Sequence, residues 1–180
     1  MTTIERPSAR PILELAADPA DALFGNYGER TRTIVRGAAS TLWDDAGNAY
    51  LDLLSGIGVT CLGHAHPAII EAITQQASRL LHCSNLYHIE PQVELAQRLT
   101  ALTFADRVLF VNSGGEAIEA AIKLARRRAA QRGEAYRREI ITFDGSFHGR
   151  TYGAMSATAQ PKVRRGFDPL VPGMVHLPFG

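Results

Sequence analysis

The spacing of apolar residues changes partway along the chain. Short runs at Thr33–Val35, Thr41–Trp43 and Ala49–Leu53 read as strands, and Asp44–Asn48 ("DDAGN") supplies turn chemistry between the last two. A glycine-rich connection, "SGIGVTCLGHAHP" (Ser55–Pro67), follows. At Pro67, where a missing N–H costs little if it opens a helix, the period becomes helical. Ile69, Ile70, Ile73, Ala77, Leu80 and Leu81 fall on one side, which the pattern predicts to be buried. "SNLYHIEP" interrupts, and Pro91 opens a second helix with Val93, Ala96, Leu99 and Leu102 predicted to face inward.

Further along, Val108–Val111 reads as a strand, Glu116 to about Gln131 as a helix stopped by Gly133, and Glu139–Phe143 as a strand. The two strands lie roughly thirty residues apart, the length of a right-handed β-α-β crossover. "GMVHLPFG" (Gly173–Gly180) reads as a third strand arriving at the same sheet. In such a unit the loops after the strands open on one sheet edge, where α/β proteins place ligands.

Both loops have unusual chemistry. In "NSGGE", Ser113 and Glu116 have the spacing of a capping box, with the Glu116 carboxylate expected to reach back to the Ser113 N–H. That cap requires no ligand, yet it leaves the N–H groups of Gly114 and Gly115 at the positive end of a helix, beside backbone that no Cβ shields. A capped turn and an anion site are compatible there. The second loop, "FDGSFHGRT", offers Phe147, which can stack on a flat ring or fill the core, and Arg150, which can clamp a carboxylate or make a surface ion pair. Together they describe a site for a phosphorylated ring and a carboxylic acid. Neither GxGxxG nor GxxxxGK[ST] is present, so the common nucleotide fingerprints are missing.

Composition narrows the class further. A chain of 180 residues with 46% hydrophobic and 21% charged residues reads as one ordinary soluble domain, and a net charge of +1 gives no electrostatic case for nucleic acid or an anionic membrane. Cys61 and Cys83 lack metal-like spacing; they read as two thiols or one disulfide. "MTTIERPSARPILELAADPADALF" lacks a signal-peptide core and no run has transmembrane length, so a cytoplasmic location is expected. His64 and His66 ("HAH") have no third ligand at metal spacing, and His148 reads as an acid–base group or a structural hydrogen-bonding one. Six arginines in Ala125–Arg138 fit the C-terminal end and wet face of a helix better than an RNA surface.

"NSGGEAIEAAIKLAR", "FHGRTYGAMSAT" and "LWDDAGNAYLDLLSGIGVTCLGHAHPAI" resemble signature segments of the class III aminotransferases, from about Thr33 to Gly180. The resemblance implies an α/β chain of the pyridoxal-phosphate-dependent transferase fold type I (aspartate-aminotransferase-like), here incomplete. Residues 1–25 would be a flexible lead, 26–65 the N-terminal segment of the small domain, and 66–180 the first half of the large cofactor-binding domain. It implies pyridoxal 5'-phosphate as cofactor, held through its phosphate by Gly114 and Gly115 and stacked on Phe147, with Arg150 on the substrate carboxylate and no metal. Substrates would be a small-molecule amino donor and 2-oxoglutarate, in a homodimer without nucleic acid or membrane. "LLHCSNLYHIEPQVELAQRL" and "QPKVRRGFDPLVPGMVHLPF" are most similar to members that act on the terminal amine of an acylated basic amino acid. Two positions depart from the family: relatives often carry Thr, Ala or Ser at the place of Gly115, and a frequent Asn is Ile118.

The family's chemistry also needs a Schiff-base lysine. The chain has Lys123, read as solvated or paired with Glu119 one helical turn away, and Lys162; the resemblance puts neither at the catalytic position. With a sheet of only two or three parallel strands, the sequence is expected to be the N-terminal part of a longer enzyme, inactive alone. A non-catalytic module that binds the cofactor or a longer relative is the alternative. Ser55–Gly58 and Asn85–Tyr87, which could reach a site across a dimer, stay unassigned.

Overall fold

The computed structural model describes residues 23–180. The expected lead at residues 1–25 falls almost entirely outside them. The chain forms two compact units, one ending at Tyr87 and the other running from His88 to Gly180.

In the first unit, β1 (Ile34–Ala38), β2 (Thr41–Asp44) and β3 (Ala49–Leu51) form an antiparallel meander. Ala38 faces Thr41 across the first turn, and Trp43 faces Ala49 across the second. The "DDAGN" turn is closed by one buried side chain. Asp44 accepts from the Asn48 N–H at 2.8 Å, the Asn48 side-chain amide at 3.0 Å and the Tyr50 hydroxyl at 2.7 Å. Those bonds, Asn48's first, hold its carboxyl below the ordinary aspartate range. Arg36 stacks over its cross-strand partner Trp43, 3.6 Å from the ring centroid.

The glycine-rich connection contains α1 (Ser55–Gly58), a single turn in which Gly56 and Ile57 take left-handed backbone angles. Ser55 and Gly58 also have positive φ, at 51° and 74°. Asp52 holds this turn: it accepts from the Leu54 and Ser55 N–H groups at 2.9 Å, and His64 sits on its other oxygen at 2.7 Å. His64 also exchanges both backbone hydrogen bonds with Ala39. Among the described residues no group of three or more His, Cys, Asp or Glu side chains converges as a metal site, and both cysteines are free thiols.

Pro67 opens α2 (Pro67–Arg79) as expected, but none of its residues is buried, and Ile69, Ile70 and Ile73 are 45–60% exposed. Leu81, beyond its end, is 84% exposed. The sequence period identifies the side that favours cover, and among the first unit's described residues it is covered only in part, Ile69 and Ile70 facing the Val59–His66 connection.

The second unit begins with α3 (Glu90–Leu102), whose expected inner face is half-buried at Ala96 and Leu99 and open at its end, Leu102 being 83% exposed. Val108–Val111, expected as a strand, is not one. A strand exists through its ladder, and the pairing here runs elsewhere: β4 (Ile140–Phe143) lies parallel to β5 (Met174–Leu177), Ile140 facing Met174 and Phe143 facing Leu177. The crossover therefore runs from β4 to β5 through two short helices, α5 (Tyr152–Ala157) and α6 (Pro161–Arg164), and the third expected strand is present. The 108–111 segment instead lines a largely apolar groove of about 400 Å³ with α4 (Gly114–Gln131), Leu109 and Val111 facing Ala117, Ala120 and Leu124.

The core of this unit is α5. Ala154, Met155, Ser156, Ala157 and Thr158 are all 4% exposed or less, with Ile122 of α4 and Val163 of α6 against them. No helix of the described residues is long and apolar enough to cross a membrane.

Candidate functional site

Ser113 is the N-cap of α4, its hydroxyl accepting from the Glu116 N–H at 3.2 Å. Only half of the expected capping box forms. The Glu116 carboxylate passes over the Ser113 N–H and takes the backbone N–H of Asn112 at 2.8 Å and its side-chain amide at 3.0 Å. Glu116 thus braces the residue before the cap. Among the described residues no acceptor meets the N–H of Gly114 or Gly115, the first two helical positions. The space beside Gly114 is open, with no atom within 4 Å of where a Cβ would stand.

The second loop comes to rest on this helix start. Gly149, at φ 127°, approaches so closely that an added Cβ would stand 3.0 Å from the Gly115 Cα. The Thr151 methyl lies 3.5 Å from where a Gly115 Cβ would be. The structure therefore brings Gly114, Gly115 and the Phe147–Arg150 segment together.

Phe147 is half exposed among the described residues. The Arg150 guanidinium lies 5.7 Å from its ring centroid, and no carboxylate among the described residues pairs with it. The backbone beneath is fixed. The His148 N–H donates to the buried Thr158 hydroxyl at 2.9 Å, the Ala159 N–H to the Ser146 carbonyl at 3.2 Å, and the Gln160 side chain to the Gly145 carbonyl at 3.0 Å. The structural role of His148 thus falls to its backbone and not to its ring.

Sequence reasoning missed Glu119. Lys123, read as solvated or paired with it, is exposed and not within ion-pair distance. Glu119 Oε1 instead accepts from the Thr151 hydroxyl at 2.6 Å and from the Gly153 and Ala154 N–H groups at 2.7 and 3.2 Å. The Thr151 bond first, and the two backbone bonds, hold its carboxyl below the ordinary glutamate range against a partial desolvation. The only signal was Gly153, where an added Cβ would run into that carboxylate.

Behind the sheet edge, His176 of β5 bonds Thr142 of β4 through Nδ1 at 2.7 Å and accepts from Arg164 at 2.9 Å through Nε2. Desolvation first, and then the Arg164 charge, favour its neutral form. Of the six arginines, Arg126 donates to the Pro172 carbonyl, Arg137 pairs with Glu134 and Arg138 donates to the Ala135 carbonyl, so part of that patch is occupied in holding the fold.

Among the described residues, two amides without acceptors at a helix start adjoin a loop with an exposed ring and a guanidinium that pairs with no carboxylate, and these residues fit a phosphorylated aromatic ligand. A family model described as Aminotransferase class-III matches residues 25–180. The chain belongs to the class III aminotransferases.

Among curated relatives, the acetylornithine aminotransferase of Caldanaerobacter subterraneus subsp. tengcongensis is 49% identical over 157 residues, covering 87% of this chain and 40% of that protein. That of Thermosynechococcus vestitus is 47% identical over 95% of this chain and 42% of its own length. An acetylornithine/succinyldiaminopimelate aminotransferase of Yersinia pestis is 50% identical over 81% and 36%. Among solved structures, the ornithine aminotransferase of Toxoplasma gondii ME49 superimposes with a TM-score of 0.82 at 29% identity, over 89% of this chain and 38% of that one. An (S)-enantioselective omega-transaminase from Thermomicrobium roseum gives 0.79 at 34% identity, over 84% and 35%. The class III chain described here thus spans about 40% of the length of the first of these relatives, and its α/β fold is that of part of the aminotransferase architecture.

Proposed function

We propose that this chain carries the phosphate-, ring- and carboxylate-binding part of a pyridoxal-phosphate site in a transaminase, as the N-terminal part of a longer enzyme. The observation that carries the reading is the seating of the Phe147–Arg150 loop on the uncapped amides of α4. Gly114 and Gly115 would donate their N–H groups to phosphate oxygens, with the helix dipole adding roughly 0.3–1 kcal/mol. Phe147 would offer its exposed face to the pyridine ring. Arg150, which pairs with no carboxylate among the described residues, would hold a substrate carboxylate with two parallel hydrogen bonds. When bound, the cofactor supplies the electron sink through which an amino group passes from donor to acceptor.

The preferred donor is N2-acetylornithine with 2-oxoglutarate as acceptor, a step of arginine biosynthesis, and the names of two of the relatives above support it. Succinyl-diaminopimelate is supported by the Yersinia pestis relative and ornithine by the Toxoplasma gondii structure; 4-aminobutyrate stays as a further class III donor. The proposed domain division stays at 1–25, 26–65 and 66–180, and the working enzyme is read as a cytoplasmic homodimer. The resemblance puts neither Lys123 of α4 nor Lys162 of α6 at the Schiff-base position, so we expect the chain by itself not to turn over.

Calorimetric titration tests the site. The chain should bind pyridoxal phosphate more tightly than any adenine nucleotide, and the reverse order would contradict the reading. In the full-length enzyme, Arg150→Ala should weaken 2-oxoglutarate by about ten-fold or more, as loss of a bidentate charged contact implies. Unchanged saturation would remove Arg150 from its role.

A further inference from the structure

We infer that Glu119 is a positioning residue that locks the Arg150 loop and the Gly114–Gly115 cradle into one rigid unit. The inference rests on the functional reading above and adds to it the group that holds the site's two halves in register.

Thr151 is the N-cap of α5, yet its side chain makes no cap hydrogen bond of its own. Its hydroxyl is given to Glu119, and the Gly153 and Ala154 N–H groups that a local cap would serve go to the same carboxylate oxygen. The cap of α5 is thus supplied from 32 to 35 residues away, by a side chain of α4. That arrangement couples two helix starts. Glu119 lies on the helix whose first amides form the cradle, and the segment it grips begins one residue after Arg150. Between grip and cradle there is no slack: Gly149 touches the Gly115 backbone and Thr151 lies over it. On the far side, Thr158 holds the His148 N–H. The Arg150 backbone is therefore held from both directions, while among the described residues its guanidinium faces only the Phe147 ring. The carboxylate is ionised at neutral pH, which makes its three bonds charge-assisted.

The test uses the full chain, inorganic phosphate as the probe of the cradle, and peptide-level hydrogen exchange as a readout that needs no ligand. Glu119→Ala should weaken phosphate between about ten- and a hundred-fold, the scale on which small misplacements act. It should also raise exchange in residues 112–118 and 145–151, not only in 152–158. Glu119→Gln, which keeps an acceptor oxygen, should return both readouts close to wild type. Exchange confined to 152–158 with phosphate affinity unchanged would reduce Glu119 to a local cap and overturn the inference. Should Glu119→Ala fail to fold, Thr151→Val decides: removal of the hydroxyl alone should move both readouts in the same direction by less, and no movement in either would overturn it. A wild-type chain that binds no phosphate would sink the functional reading, while the exchange pattern would still decide whether Glu119 joins the two loops.

Discussion

The two ends of α4 both carry glycine, and glycine serves opposite purposes at them. At the C-terminal end it closes the helix. Gly133, at φ 74°, turns the chain so that its N–H reaches the Ala130 carbonyl at 3.1 Å and the Glu134 N–H reaches Ala129 at 2.9 Å. That is a Schellman closure, and it satisfies carbonyls that would otherwise need water. At the N-terminal end Ser113 serves one amide, Glu116 turns back to Asn112, and the amides of Gly114 and Gly115 meet no acceptor among the described residues. A helix end that its own chain closes has a structural purpose. One left open beside a clamped loop is what the proposed phosphate site requires.

The largest effect on this contrast should come from Gly149→Val. A side chain there meets the Gly115 backbone at an unfavourable φ, and we expect a loss of about 2–4 kcal/mol in urea unfolding together with loss of phosphate binding. A loss under about 1 kcal/mol would mean that the loop can lift off the helix. Gly133→Ala should cost about 1 kcal/mol through the positive φ alone. Its phosphate affinity should not change, because the closed end takes no part in binding.

A subtler effect lies in pH. The Glu119 carboxyl is held below its ordinary value of 4.5, so the stability it contributes is fully present above that pH and is lost as pH falls through the lower folded value. Glu119→Gln should flatten the corresponding part of the acid limb of the urea midpoint against pH, and an unaltered limb would show that the carboxylate's charge is idle. The smallest change in stability is expected for Gly114→Ala, within about 0.5 kcal/mol, because the space there is empty. It should still weaken phosphate by crowding the approach to the amides. If affinity is unchanged, the anion does not come in over Gly114.

Much of this was legible in local sequence. The "DDAGN" turn, the helix openings at Pro67 and beside Pro91, the Ser113 cap and the Gly133 stop all depend on residues within a few positions of one another. What failed depended on partners further off. Val108–Val111 has strand composition, but composition does not supply the neighbour that makes a ladder. The apolar side of α2 has the right period, and its exposure shows that period marks a preference for cover and not its presence. Glu119 was read with the residue one turn away, while its partners lie more than thirty positions downstream. Glu116 was given to Ser113 by the capping-box pattern, whereas the carboxylate reaches one residue further to make two bonds in place of one. In the site itself, the residue types in the two loops could be read, but their contact through Gly149 and Gly115 could not.

On the proposed reading the open end of α4 is an anion site and the arginine-rich closed end is not. Amide chemical shifts followed during a phosphate titration of the chain separate the two ends. We expect saturable shifts at Gly114 and Gly115, extending to the Gly149–Arg150 segment and leaving Gly133 still. Shifts centred on residues 126–138, with Gly114 and Gly115 unmoved, would contradict it.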